Sequence, residues 1–391
     1  MEPTEKILPG SSRLQTVGLI IGIVGFALLA TAYFANPTSF FESYLFGFMV
    51  WLTPTLGCLG LTLLYNMVRA TWGYPIIRFF EAGTRVLPLM ALLSIPIFIG
   101  IKYIYPWANP EEVAHDKVLQ EKTAIFLTQP FFILRAVIYF GIWLLLMVWL
   151  NKWSRKEDET SDASYADKRS NLSAPGAVFF VICVTIAVTD LVMSLEPHWY
   201  STIFGLLNVV GEALFALALA IIFMVIVRDR YPFSSLLERK NWRDVGNLTL
   251  TLVVLWAYMS FSQLLITWSG NLPEEITYYA ARSEGNWRWF GGVLIFLHFF
   301  LPFFLLLSSH VKRTPRLLGA VAAWIVIMRI ADIIWFVLPS FHRESAQFYW
   351  SDAAAFFAFG GIWVFYFLLQ LKRAPLLPSY VLARQEVVES A

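Results

Sequence analysis

In the stretch "AAWIVIMRIADIIWFVLP", residues 322–339, Arg329 and Asp332 interrupt an apolar run long enough to cross a bilayer. An Arg or Asp at the centre of a membrane helix costs about 2.5–3.5 kcal/mol on insertion scales, so the two together cost roughly 5–7 kcal/mol facing lipid. They must face the protein interior. Three residues apart, they share one helix face and can neutralise each other, which would pin the helix against its neighbours. Burial and the adjacent guanidinium act in opposite senses on the Asp332 carboxyl, and that leaves proton exchange open to it.

Three further ionisable residues fall inside apolar runs at comparable depth. Asp190 stands seven residues before Pro197, as Asp332 stands seven before Pro339, which sets both carboxyls about 10 Å below the outer helix ends. Glu212 and His298 each lie eleven residues from an outer end, about 16 Å deep and close to the midplane. These five residues are the candidate steps of a proton route. Arg135, and Glu81 with Arg85, are read as anchors or ion pairs. The inner half holds no comparably dense set, so a route there would depend on water and on hydroxyls such as Thr249, Thr251 and Ser308.

The elements that must position these groups are membrane helices. Of the 391 residues 58% are hydrophobic and 14% charged, against about 25% charged in ordinary soluble domains. Ten apolar segments are expected near residues 17–35, 44–68, 84–103, 131–150, 174–194, 201–227, 245–268, 287–309, 317–338 and 351–371. Runs of this length exceed a barrel strand of about 10 residues, so the expected fold is an all-α integral membrane protein. The first segment contains "ATA" but is read as an anchor, not a cleaved signal.

Of the 29 Lys and Arg residues, 20 fall on the side that carries Lys6, Arg13 and Arg384, six fall on the other, and Arg85, Arg135 and Arg329 lie within segments. That bias places both termini in the cytoplasm.

The segments echo one another. "TDLVMSLEP" in the fifth matches "ADIIWFVLP" in the ninth, and "SYLFGF" opens the second as "STIFGL" opens the sixth. Segments 2–5 and 6–9 are therefore expected to form two parallel four-helix bundles, residues 44–200 and 201–350. Segment 1 with its tail (1–43) and segment 10 with its tail (351–391) flank them. The charged stretch 155–170 reads as a flexible linker.

Several chemistries are excluded. There is no P-loop, nucleophile elbow or HExxH, and Cys58 and Cys183 form no cluster for iron and sulfur. Of the five His residues only His298 lies mid-membrane, whereas a low-spin haem wants two axial ligands. A net charge of +2 points to no nucleic-acid partner.

Three stretches, "RFFEAGTRVLPLMALLSIPI" (78–97), "DLVMSLEPHWYSTIFG" (190–205) and "MRIADIIWFVLP" (328–339), together resemble the NrfD, or polysulfide-reductase, membrane-subunit family. The likeness is narrowest to the second such subunit of bacterial alternative complex III and spans essentially the whole chain. It implies a place in a quinol:cytochrome c oxidoreductase of the bacterial inner membrane, beside a sister NrfD-like subunit, an iron–sulfur subunit and multihaem cytochrome c subunits. Menaquinol or ubiquinol would be the electron donor, with haem and iron–sulfur held by the partners and no group bound covalently here.

Carried onto matching positions, the resemblance marks Asp190, Arg329 and Asp332 as lining a quinone pocket or proton route, with Glu212 and His298 as extensions. The sister subunit would sit closer to the iron–sulfur partner. No His stands beside Asp190, the nearest being His198 beyond Pro197.

The expected function is thus support of quinol oxidation together with a proton-transfer route. Two other classes stay open: a purely structural anchor, in which Arg329 and Asp332 only lock, and a secondary transporter, whose usual paired mid-helix breaks find only the unmatched Pro54 and Pro302.

Overall fold

A computed structural model of the chain describes residue 8, residues 10–343 and residues 346–379. Lys6 and Arg384, both counted in the charge bias, lie outside the described residues. All regular structure among the described residues is helical, and ten helices are long and apolar enough to cross a membrane. They are α1 (Ser11–Ala35), α2 (Pro37–Val68), α3 (Ile77–Ile99), α4 (Gln129–Thr160), α5 (Ser164–Leu195), α6 (Phe204–Val227), α7 (Arg239–Gly270), α8 (Trp287–Leu307), α9 (Pro315–Phe341) and α10 (Trp350–Leu371). Each expected segment falls on one of them, and the chain is a multi-pass membrane protein.

Two local expectations are corrected. The third helix begins at Ile77, a full turn and more before Thr84, and it is broken into short helical pieces. Pro88 and Pro96 cause the breaks, since each lacks the N–H that the carbonyl four residues back would accept. Tyr44 of α2 donates to the Leu93 carbonyl at 2.9 Å, beside the second break. The stretch 155–170 is not a flexible linker, because α4 continues to Thr160 and α5 starts at Ser164. Its charges pair across helices: Arg169 meets Glu157 at 2.5 Å and Asp167 meets Arg69 at 2.8 Å.

At the centre stands α2, with 83% of its apolar window buried. It touches α1, α3, α5, α6, α9 and α10; α6 also packs against α5, α7 and α9, and α1 lies along α10. By contrast α7 and α8 bury only 22% of their windows and leave broad apolar faces for lipid.

The α2–α6 crossing is close because Gly57 has no side chain. A Cβ there would lie 1.9 Å from the Glu212 carbonyl oxygen. Gly57→Leu is therefore expected to destabilise the chain by at least about 1–3 kcal/mol, the usual range for overpacking. Thermal unfolding in detergent reads this, and an unchanged midpoint would contradict the crossing.

The two long loops between α3 and α4 and between α7 and α8 are folded. Helices Pro110–His115, Lys117–Ile125 and Pro273–Ser283 lie in them, and the first two are N-capped by Asn109 and Asp116.

Candidate functional site

On α9 the one-turn spacing of Arg329 and Asp332 brings Arg329 Nη1 directly onto Asp332 Oδ2, with each side chain only 1% exposed. Trp256 of α7 donates its indole N–H to the same oxygen at 3.0 Å. Gly211 on α6 makes the room: a Cβ at that position would lie 2.1 Å from Arg329 Nη2, so the guanidinium rests on bare backbone. The pair is packed shut.

Next to it, α8 changes its winding. Residues Leu294–Phe300 form a π-helical segment, in which the Leu301 N–H reaches the Phe296 carbonyl five residues back. Leu297 would then need the N–H of residue 302, which is proline, and the Trp324 indole of α9 donates to that carbonyl instead, at 2.8 Å. Such segments are rare and occur often at functional sites. This one carries His298, whose ring meets Trp256 edge to face with centroids 4.0 Å apart.

Arg329 is the common charged neighbour of Asp332, Glu212 and His298. Around it, Glu212 Oε2, both ring nitrogens of His298 and Arg329 Nε are buried without a hydrogen-bond partner. Native proteins leave few such atoms, because each orphan costs about 1–3 kcal/mol. Four of the five expected residues thus share one centre, held by α6, α8 and α9. Trp256, the residue that joins α7 to the same centre, was not legible in the sequence.

Asp190 is elsewhere, a correction to the single expected route. Its carboxylate accepts from Arg135 of α4 through Nε at 2.9 Å and Nη2 at 2.7 Å. The same guanidinium donates to the Phe126 carbonyl at 2.9 Å and sits over the Phe126 ring. This is a forked ion pair with cation–π cover. The two echoing aspartates therefore each hold an Arg, but from a different source: Asp332 from its own helix and Asp190 from the preceding one.

A second ionic cluster lies at the opposite helix ends, where no set as dense as the first was expected. Arg78 Nη1 meets Glu81 at 2.6 Å and Ser154 at 2.7 Å, Arg78 also pairs with Asp158, and Ser154 donates to Glu81 at 2.5 Å. Arg85 donates to Asn151 at 2.7 Å. Glu81 and Arg85 form the ion pair expected of them, at 3.8 Å, and Arg78 holds the same carboxylate more closely at 2.6 Å. Residues scattered over α3, α4 and the 155–160 extension converge only once folded, which hid the cluster from sequence reading.

The Arg329 centre is covered, towards the C-terminal end of α9, by helix Pro273–Ser283. Its Arg282, 1% exposed, pairs with Glu196 at 2.6 Å and donates to the Trp335 and Phe336 carbonyls at 3.0 and 3.1 Å. The Trp335 carbonyl is the one that Pro339 leaves without an α-helical donor. Tyr278 lies between, its hydroxyl pushed up by burial, which outweighs the opposing pull of the Arg282 charge. Glu196 also lines a cleft of about 400 Å³ with Asp116 and His198, which meet at 2.6 Å. Burial pushes the Asp116 carboxyl up, but the Leu119 and Val118 N–H groups and the His198 ring outweigh it and hold it below the usual range.

Arg282→Ala would leave Glu196 buried and unpaired, a loss expected to cost about 3–5 kcal/mol. It should also open 273–283 to protease. Digestion at the wild-type rate would refute this role.

No protein-family model matches the chain, and no curated protein matches its sequence. What the site can hold therefore rests on its own geometry. Among the described residues no three His, Cys, Asp or Glu side chains are grouped to hold a metal ion. A quinol head group does not fit the Arg329 centre: the guanidinium contacts Gly211, the Trp256 and His298 rings touch, and Arg329, Asp332 and His298 are 0–1% exposed.

Proposed function

We propose that the chain is a proton-handling membrane subunit of a quinol-oxidising complex, and that Glu212 and His298, in the field of Arg329, are the groups that pass the proton. The observation that carries this reading is the set of buried, unpartnered polar atoms on Glu212, His298 and Arg329 at mid-membrane depth. Ionisable residues at that depth are expensive and mark ion or proton paths by default. Asp332 serves as the counterion of Arg329, and Trp256 fixes its carboxylate. Arg282, Tyr278 and Glu196 line the way from that centre to the cleft. Since a quinol ring does not fit at Arg329, no step of quinol chemistry is assigned to these residues; oxidation belongs to the sister NrfD-like subunit.

The same proposal includes the architecture: α2–α5 and α6–α9 as two four-helix bundles, α1 and α10 flanking, and both termini in the cytoplasm of a bacterial inner membrane. The helix contacts and the basic bias of the loops support it. So do the stretches that resemble the NrfD-like subunit of alternative complex III, and with them the iron–sulfur and multihaem cytochrome c partners.

One observation favours a second reading, a structural anchor: Arg329 and Asp332 are closed on each other, each 1% exposed. Isolation of the assembly through a tag on this chain tests membership of the complex. The expected result is c-type haem absorbance in the purified material, reduced on adding menaquinol or ubiquinol. Recovery of the intact chain without haem would contradict it.

A further inference from the structure

Arg85 sits where α3, α4 and α10 meet at one membrane-facing corner. Its Nε donates to Asn151 of α4 at 2.7 Å and its Nη1 points to the Gln370 carbonyl of α10 at 3.4 Å. Arg155 lies one turn beyond Asn151 on α4, and Arg373 lies three residues beyond Gln370 just past α10. Both are exposed, both act electrostatically on Arg85, and among the described residues neither makes an ion pair.

Two of the acids at hand, Glu81 and Asp158, are already engaged by Arg78. Glu81 is held by Arg78 at 2.6 Å and stands 3.8 Å from Arg85. Asp158 pairs with Arg78 and accepts the Ser379 N–H at 3.0 Å. Glu159, one turn past Arg155, is exposed and makes no ion pair among the described residues. Arg85 thus shares the Glu81 carboxylate with Arg78, and the guanidinium groups of Arg85, Arg155 and Arg373 give the corner more positive charge than its carboxylates offset.

Directly beyond Arg85 along α3 runs an exposed apolar stripe at helical spacing: Pro88, Leu92 (62% exposed), Ile95 (48%) and Ile99 (71%). On the adjoining α4, Leu145, Val148 and Trp149 are exposed as well. A charged fork at the head of an apolar track matches one class of molecule.

We infer that this corner binds an anionic phospholipid, with its phosphate between Arg85, Arg155 and Arg373 and an acyl chain along Pro88, Leu92, Ile95 and Ile99. Guanidinium forks match phosphate oxygens in geometry and stay charged at the interface. Basic pockets between membrane helices recognise such head groups. The apolar stripe is what selects a lipid over a soluble phosphate.

Native mass spectrometry of the full-length chain in mild detergent, offered equal phosphatidylglycerol and phosphatidylcholine, tests the site. The wild type is expected to retain phosphatidylglycerol preferentially. Arg155→Gln with Arg373→Gln, both exposed, should lower that preference roughly 30-fold at an unchanged unfolding midpoint. Removing the same charge elsewhere, with Lys156→Gln and Lys240→Gln, should leave it in place.

Equal retention of both lipids, an unaltered preference in the arginine variant, or an equal loss in the lysine control would each overturn the site. Displacement of the lipid by excess inorganic phosphate would reassign the corner to a soluble phosphate and overturn the lipid assignment.

Discussion

Arg329→Met is expected to destabilise the folded chain by about 3–5 kcal/mol, because it leaves the Asp332 carboxylate buried without its partner. The geometry makes this the most damaging single change at the centre. Asp332 is 1% exposed and keeps only the Trp256 N–H, and Glu212 loses its one charged neighbour of opposite sign. Removing both members of a buried pair, unlike removing one, is often neutral. Arg329→Met with Asp332→Leu should therefore recover most of the loss, short of about 1–3 kcal/mol for the indole N–H of Trp256 left unpaired. Unfolding midpoints of the two variants and wild type in the same detergent check this. A single variant as stable as wild type would show that the pair carries no such weight.

His298→Leu is expected to do the reverse, keeping or raising stability while removing function. Both ring nitrogens of His298 are buried without partners, and exchange for an apolar side chain of similar volume relieves a penalty of about 1–3 kcal/mol. If the ring passes protons, proton movement by the assembly should fall about 100-fold while electron transfer from quinol survives, within the range for loss of a general acid or base. A scaffold reading predicts equal or better stability with full activity, so the two readings part on one variant. The π-helical segment at Leu294–Phe300 argues for function: it aims an unsatisfied ring inward where an ordinary α-turn and an apolar residue would pack at less cost.

The ten helices were legible because burial in lipid demands long apolar runs, and depth could be counted along them at 1.5 Å per residue. That arithmetic placed Glu212, His298, Arg329 and Asp332 close enough to meet. It failed for Asp190, whose depth matches that of Asp332 while its partner is Arg135 of α4; depth says nothing of azimuth. The linker reading failed for a related reason. Charges in 155–170 look solvated in one dimension, yet Glu157, Asp158 and Arg169 find partners on other segments, and those pairs let the helices run on.

The π-helical turn was hidden as well. Pro302 signalled a break, but only the Trp324 indole, reaching across from α9 to the Leu297 carbonyl, accounts for its form. Trp256 is a polar-tipped aromatic in the middle of α7, and nothing in the sequence set it apart from the other Trp of the chain's 16.

In the proposed function Glu212 and His298 carry protons through the closed centre around Arg329. The most direct test is the number of protons moved per electron by the assembly, isolated through this chain and reconstituted in sealed vesicles, for wild type and Glu212→Gln. Intact assembly, surviving electron transfer from quinol, and proton movement reduced about 100-fold are expected of the variant. An unchanged ratio of protons to electrons in Glu212→Gln would contradict it.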